Sequence, residues 1–291
     1  MTQKKQQRLD SPWFNEWRLL ALIAGTISGF VIVRMSGLDL SLAENVSAMI
    51  AYSVRWAVPW LYIAFAASSV QALFPSTASR WLLRNRKIMG LSFAVGMAWQ
   101  LTFIVWLVSV HRDYYVNEVY VLRDVIEGLG GYLFLLAMTV TSFKFARKRM
   151  TSKNWKRLHT WGIYFLWAYA FSVYWYALFY YESPDLIDYV YYWSGALALA
   201  LRQAAWLRKR NKQAKGSGPS TGVRIVAVGL ILLAAIGLCL GSLWTDPAHH
   251  YLGGYQLTLW LDLYMPYWPF IPFLPLFLSA AGAALFAKSR T

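Results

Sequence analysis

Eight long apolar stretches run through this chain of 291 residues and restrict it to one class of fold. Each is about 20 residues long or somewhat longer, enough for a helix to cross about 30 Å of hydrocarbon. Inside lipid, backbone N–H and C=O groups need partners within their own segment, so such stretches fold as helices. The stretches cover residues 18–36, 47–74, 88–110, 125–146, 160–181, 187–207, 223–244 and 266–287. The sequence therefore predicts an all-α membrane protein, a polytopic bundle of eight spans.

The composition agrees with that class. Hydrophobic residues make up 58% of the chain and charged residues only 14%, whereas soluble domains have about half and about a quarter. A polar basic segment at 208–222 has the composition of a linker and divides the spans. We expect a cytoplasmic segment at 1–17, a six-helix membrane domain at 18–207, that linker at 208–222, and a two-helix extension at 223–291.

The charges orient the spans. If the N-terminus is cytoplasmic, 23 of the 28 Lys and Arg residues fall on the cytoplasmic side, and 11 of the 13 acidic residues fall on or near the other. This distribution satisfies the positive-inside rule and places both termini in the cytoplasm. The net charge of +15 is then explained by topology and by contact with anionic membrane lipids, and not by nucleic acid.

No catalytic or metal-binding set is visible in the chain. The single cysteine, Cys239, excludes an intrachain disulfide and a cysteine-based metal or iron–sulfur site. His111, His249 and His250 fall on the predicted outer side, where a solvated loop is the favoured interpretation over a metal site. The connections are too short for a nucleotide-binding unit, and no glycine-rich phosphate motif follows a strand. A separate partner protein must supply electrons if the chain transfers them.

Three segments carry a resemblance to a known family: 80–91 at the start of the third span, 130–142 in the fourth, and the sequence Asn-Trp-Lys-Arg-Leu-His at 154–159. With them, the region from Arg55 to Trp175 resembles the ferric-reductase-like transmembrane domain. It is most similar to the haem-binding membrane subunits of bacterial methionine sulfoxide reductase systems. The resemblance implies a bacterial inner-membrane location, and it covers the six-helix part but not the last two spans.

The resemblance also implies haem b held between helices by histidines, and electron transfer across the membrane. Its three expected ligand positions correspond here to Gln100, His159 and Ser172, so two of three histidines are absent. An amide and a hydroxyl are poor axial donors to haem iron. His159 is a candidate haem ligand or an interfacial polar residue, and Met97 a candidate thioether ligand or a packing residue.

Two further features leave alternatives open. Arg55 lies within an apolar span, where its cation either pairs with a haem propionate or anionic head group or extends to the membrane surface. The dense aromatic residues of the fifth span favour packing and interfacial contacts, with haem or quinone binding as the alternative.

Three functions follow from these observations. The first is an electron-transfer component of the membrane with degenerate haem binding. The second is a haem-free scaffold or accessory subunit with a protein partner. The third, a transporter or lipid-handling protein, has little support, because neither an inverted repeat nor a set of intramembrane acids is evident.

Overall fold

The computed structural model describes residues 11–179, 183–214, 218–252 and 271–287. All regular secondary structure in these residues is helical. Six of its helices are long and apolar enough to cross a membrane. The prediction of an all-α protein with helices long and apolar enough to cross a membrane is therefore confirmed. The count of eight spans and the six-helix core stay predictions.

The chain forms two compact units, Met1–Tyr169 and Ala170–Thr291. Six helices belong wholly or partly to the first unit, and α6 continues into the second. They are α1 (Glu16–Ser36), α2 (Ala43–Leu73), α3 (Thr77–Arg84), α4 (Arg86–Val110), α5 (Leu122–Thr141) and α6 (Ser152–Phe179). Short helical turns lie at Pro12–Phe14, Arg112–Tyr114, Tyr115–Val119 and Lys144–Arg147. The predicted division at 208–222 stays a prediction.

The centre of the first unit is the pair α2 and α4, with α1 packed on α4. Gly96 of α4 faces Ala57 of α2, and a Cβ on Gly96 would lie 2.6 Å from the Ala57 Cβ. Small residues at a membrane helix interface let two backbones approach closely. The α2 side of this core includes Val46, Met49 and Phe65, all fully buried.

A buried asparagine joins the start of α1 to the junction of α3 and α4. Asn85 is 1% exposed. Its Oδ1 accepts from the Glu16 backbone N–H at 3.1 Å, and its Nδ2 donates to Asn15 Oδ1 at 3.0 Å. The Trp81 indole N–H also donates to the Phe14 carbonyl at 2.8 Å. The basic ends of α1 and α4 are therefore held in a fixed arrangement.

The second unit contains the end of α6 and four more helices: α7 (Leu186–Gln213), α8 (Thr221–Cys239), α9 (Gly241–Leu252) and α10 (Leu274–Phe286), the last preceded by a 3₁₀ turn at Ile271–Phe273. Helix α8 packs along α10, and α7 also contacts α10. Gly282 makes the closest approach, since a Cβ there would lie 2.8 Å from the Ala227 carbonyl oxygen.

Several helix ends differ from the predicted spans. The predicted seventh span, 223–244, is interrupted at Leu240, where the backbone leaves the helical region and α9 begins at Gly241. Gly241 packs against the Phe179 ring, with 2.6 Å from its ideal Cβ position to the ring, so only glycine fits there. The eighth span, 266–287, is described only from residue 271, and residues 266–270 lie outside the described part.

Candidate functional site

Gln100 of α4 is hydrogen-bonded across the helix interface to α5. The Tyr132 hydroxyl donates to Gln100 Oε1 at 2.7 Å, and it also lies 3.2 Å from the Met97 carbonyl oxygen. One hydroxyl has one proton, so the shorter contact to Gln100 is the principal hydrogen bond. The amide oxygen at this expected ligand position is therefore already engaged by a protein donor.

Met97 enters this arrangement through its backbone. Its carbonyl oxygen, one turn before Gln100, is the second acceptor near the Tyr132 hydroxyl. The residue is half-buried on α4. The described contacts assign no role to its thioether, so Met97 as a haem ligand stays a prediction.

His159, the retained histidine of the resemblance, contacts the C-terminal end of α5. Its Nε2 lies 3.0 Å from Thr141 Oγ1. The Thr141 hydroxyl is also 2.6 Å from the Ala137 carbonyl oxygen, which can only accept. Because the single Thr141 proton serves the shorter contact, we assign the proton of this imidazole to Nε2, which then donates to Thr141. In this tautomer Nε2 has no lone pair for iron.

The Trp155 ring packs against the His159 ring. It lies four residues before His159 on α6, so the two side chains share a helix face. Their ring centroids are 4.3 Å apart. The Trp155 indole N–H donates to the Thr141 carbonyl at 3.1 Å, and the Arg147 guanidinium lies 5.0 Å from the indole centroid. The 154–159 motif thus fastens the start of α6 to the end of α5.

At the interface between α5 and α6, large side chains pack against glycines of the facing helix. A Cβ on Gly162, three residues after His159, would collide with the Met138 sulfur and lie 3.2 Å from the Phe134 ring. A Cβ on Gly130 would lie 3.3 Å from the Phe165 ring. These two glycines therefore make room for neighbouring side chains of the protein itself.

Aromatic residues of α6 also pack onto α2. Phe65, which is fully buried, stacks on Trp167 with 5.3 Å between the centroids. The Tyr164 ring meets Phe65 edge-on at 5.1 Å. These contacts agree with the packing interpretation of the aromatic density in the fifth span.

Two of the expected ligand positions, Gln100 and His159, contact α5 at different points. Gln100 reaches α5 at Tyr132, whereas His159 reaches it at Thr141. Those two contact points are separated along α5 by about 13 Å at 1.5 Å per residue. Ser172 lies half-buried in the part of α6 that belongs to the second unit. Arg55 is half-buried in α2 and has an interaction partner. Their assignments as cofactor-binding residues stay predictions.

The residues present do not fit haem. The donors at the three expected positions are one imidazole, one amide and one hydroxyl, and the imidazole and the amide are hydrogen-bonded to neighbouring helices. Iron favours imidazole nitrogen or sulfur donors over an amide or hydroxyl. Among the described residues, no group of three or more His, Cys, Asp or Glu side chains is arranged to hold a metal ion.

The other histidines add nothing to this site. His111 directly follows α4, and its Nε2 lies 3.3 Å from the Leu40 carbonyl oxygen. The side chains of His249 and His250 lie outside the described part of the structure. Tyr132 and Thr141 were not predicted from the sequence as hydrogen-bond partners of Gln100 and His159. Both are polar residues within an apolar span, and this polarity was the signal that could have identified them.

Comparison with known proteins gave no match. No protein-family model, curated protein or solved structure matches this chain.

Proposed function

We propose that this protein is a haem-free scaffold or accessory subunit of the inner membrane, built on a ferric-reductase-like helical domain. The observation that carries the proposal is the Tyr132–Gln100 hydrogen bond. It engages the side-chain oxygen at a position where the resemblance expects a histidine ligand, and it joins two helices directly. A hydrogen bond between spans stabilises the bundle without a cofactor.

The hydrogen bond of His159 also supports the haem-free proposal. Its Nε2 is bonded to Thr141, and its ring lies against Trp155. Both expected ligand positions of the first unit therefore act as contacts between helices. In this proposal the domain keeps its fold and positions a partner protein in the membrane, and electrons do not pass through it.

One observation favours electron transfer as a second candidate. His159 is retained together with the basic turn that precedes it, and its ring is only half-buried. An imidazole at that position can exchange its hydrogen bond with Thr141 for another ligand. This candidate requires either haem with an unusual second donor or a quinone, and a separate electron donor.

Visible spectroscopy separates the two candidates. The full-length protein is expressed with excess haem precursor beside a b-type cytochrome as a control for haem supply, purified in detergent, and measured oxidised and dithionite-reduced. We expect no Soret band and no reduced α-band. A Soret band that disappears in His159→Ala while the protein stays folded would overturn the haem-free proposal and support electron transfer.

A further inference from the structure

A cluster of cations and aromatic rings surrounds the basic end of the first unit. The Lys87 ammonium lies 5.1 Å from the Trp17 ring centroid and 5.4 Å from that of Phe143. Trp17 and Phe143 stack with 5.9 Å between centroids. The Arg18 guanidinium lies 5.4 Å from the Trp13 ring. We call these five residues the cationic collar.

The collar is built on a fixed backbone. Trp17 and Arg18 lie in the first turn of α1, Trp13 lies in the short turn that precedes it, and Lys87 lies in the first turn of α4. The Asn85 hydrogen bonds to Glu16 and Asn15 hold these two segments together. Little conformational freedom remains to be lost when a ligand binds such a preformed arrangement.

The two collar cations keep their charge available. Arg18 and Lys87 are exposed, and among the described residues neither has a carboxylate partner. Each contacts ring faces, which attract a cation but leave N–H donors directed away from the ring. An anion can therefore bind both the charge and the donors.

The rings indicate where this anion lies. Trp13 is 66% exposed and Trp17 51% exposed. Exposed tryptophans on a membrane protein favour the level of the lipid head groups. Beyond the collar, α1 presents Leu22 and other exposed apolar side chains. A ligand that is anionic beside the collar and apolar beside α1 matches both surfaces.

We propose that the cationic collar is a binding site for an anionic phospholipid, whose phosphate contacts Arg18 or Lys87 and whose acyl chains lie along α1. The site contains none of the three expected haem-ligand positions, and the proposal stands whichever function His159 serves. It differs from the general attraction of a basic surface, because it depends on cations that rings hold in place.

The test uses the full-length protein in detergent, titrated with phosphatidylglycerol or phosphatidylcholine, with bound lipid counted by native mass spectrometry. The variant is Arg18→Gln with Lys87→Gln. The matched control is Lys156→Gln with Arg157→Gln, which removes the same charge from exposed residues at the start of α6 that have no ring or carboxylate partner among the described residues.

We expect the wild type and the control to prefer phosphatidylglycerol. The collar variant should bind it more weakly by about twenty-five-fold, the product of about fivefold for each cation. Lys87→Arg should retain binding, which tests the collar in a variant with little change in folding. Equal weakening in the collar and control variants would show surface potential alone and overturn the proposal. So would the absence of a preference for phosphatidylglycerol, or competition by inorganic phosphate at equal concentration.

Discussion

The contact between Tyr132 and Gln100 is a hydrogen bond between two helices, at a position where the resemblance expects a histidine. The glutamine there accepts from the Tyr132 hydroxyl at 2.7 Å. The side chain has similar reach, but its oxygen is a hydrogen-bond acceptor and a poor iron ligand. At the residue scale, the position contributes to helix association.

Tyr132→Phe should lower the free energy of unfolding by about 0.6 kcal/mol, the average for hydrogen bonds between membrane helices, and by at most about 1.7 kcal/mol. The reason is that the half-buried Gln100 amide loses its donor. Reversible unfolding in mixed micelles measures the change. Tyr189→Phe is the control, because its ring is exposed in the second unit and its hydroxyl has no partner among the described residues.

Gln100→Leu combined with Tyr132→Phe tests whether the two residues act on each other. Replacing both polar partners by apolar groups is nearly neutral, whereas removing one leaves the other unsatisfied. We therefore expect the double variant to be destabilised by less than the two single effects together. Strict additivity would show that the hydrogen bond contributes nothing to stability.

At the scale of whole helices, close packing at small residues holds the first unit together. Gly96 allows α4 to approach α2 at Ala57, and Gly162 allows α6 to approach α5 at Met138. Gly90, on the same helix as Gly96, has no atom within 4 Å of its ideal Cβ position. The sequence does not distinguish these two glycines of α4, and only the packing does.

Gly96→Ala should destabilise the protein by about 1–3 kcal/mol, because the new methyl group overpacks the contact with Ala57. Gly90→Ala should be neutral or slightly stabilising, since alanine has the higher helix propensity and meets nothing. Thermal unfolding in detergent compares the two variants. Ala57→Gly should partly rescue Gly96→Ala by removing the opposing Cβ, and a failure to rescue would place the strain elsewhere.

Helix ends also depend on more than hydropathy. Helix α6 begins at Ser152, before the apolar stretch predicted at 160–181. Its first turns carry Lys153, Lys156 and Arg157, which are exposed and good helix formers. Trp155 and His159 fasten this polar segment to α5, so the helix continues beyond the apolar region. The length of the apolar stretch alone underestimates the length of such a helix.

For the whole molecule, the distribution of charge predicts the orientation in the membrane. The loop between α1 and α2 contains Asp39 and has no basic residue, while the segment between α5 and α6 is strongly basic. The first loop should therefore be outside and the second should be cytoplasmic. With the predicted eight spans, both termini should then be cytoplasmic.

Cysteine labelling in intact cells tests this orientation. In a Cys239→Ser background, Ser41→Cys should react with a membrane-impermeant maleimide added outside, and Lys153→Cys should react only after the membrane is opened. The parent without cysteine controls for background. Labelling of Lys153→Cys in intact cells, with Ser41→Cys protected, would reverse the orientation.

The sequence by itself determined the class of the protein, because long apolar stretches leave helices as the only way to satisfy backbone hydrogen bonds in lipid. It also determined which ends of the helices are basic. Only the tertiary structure decided that Gln100 bonds to Tyr132, that His159 bonds to Thr141, and that the Lys87 ammonium lies close to the rings of both Trp17 and Phe143. These contacts join residues far apart in the chain, and hydropathy and spacing describe each helix without its neighbours.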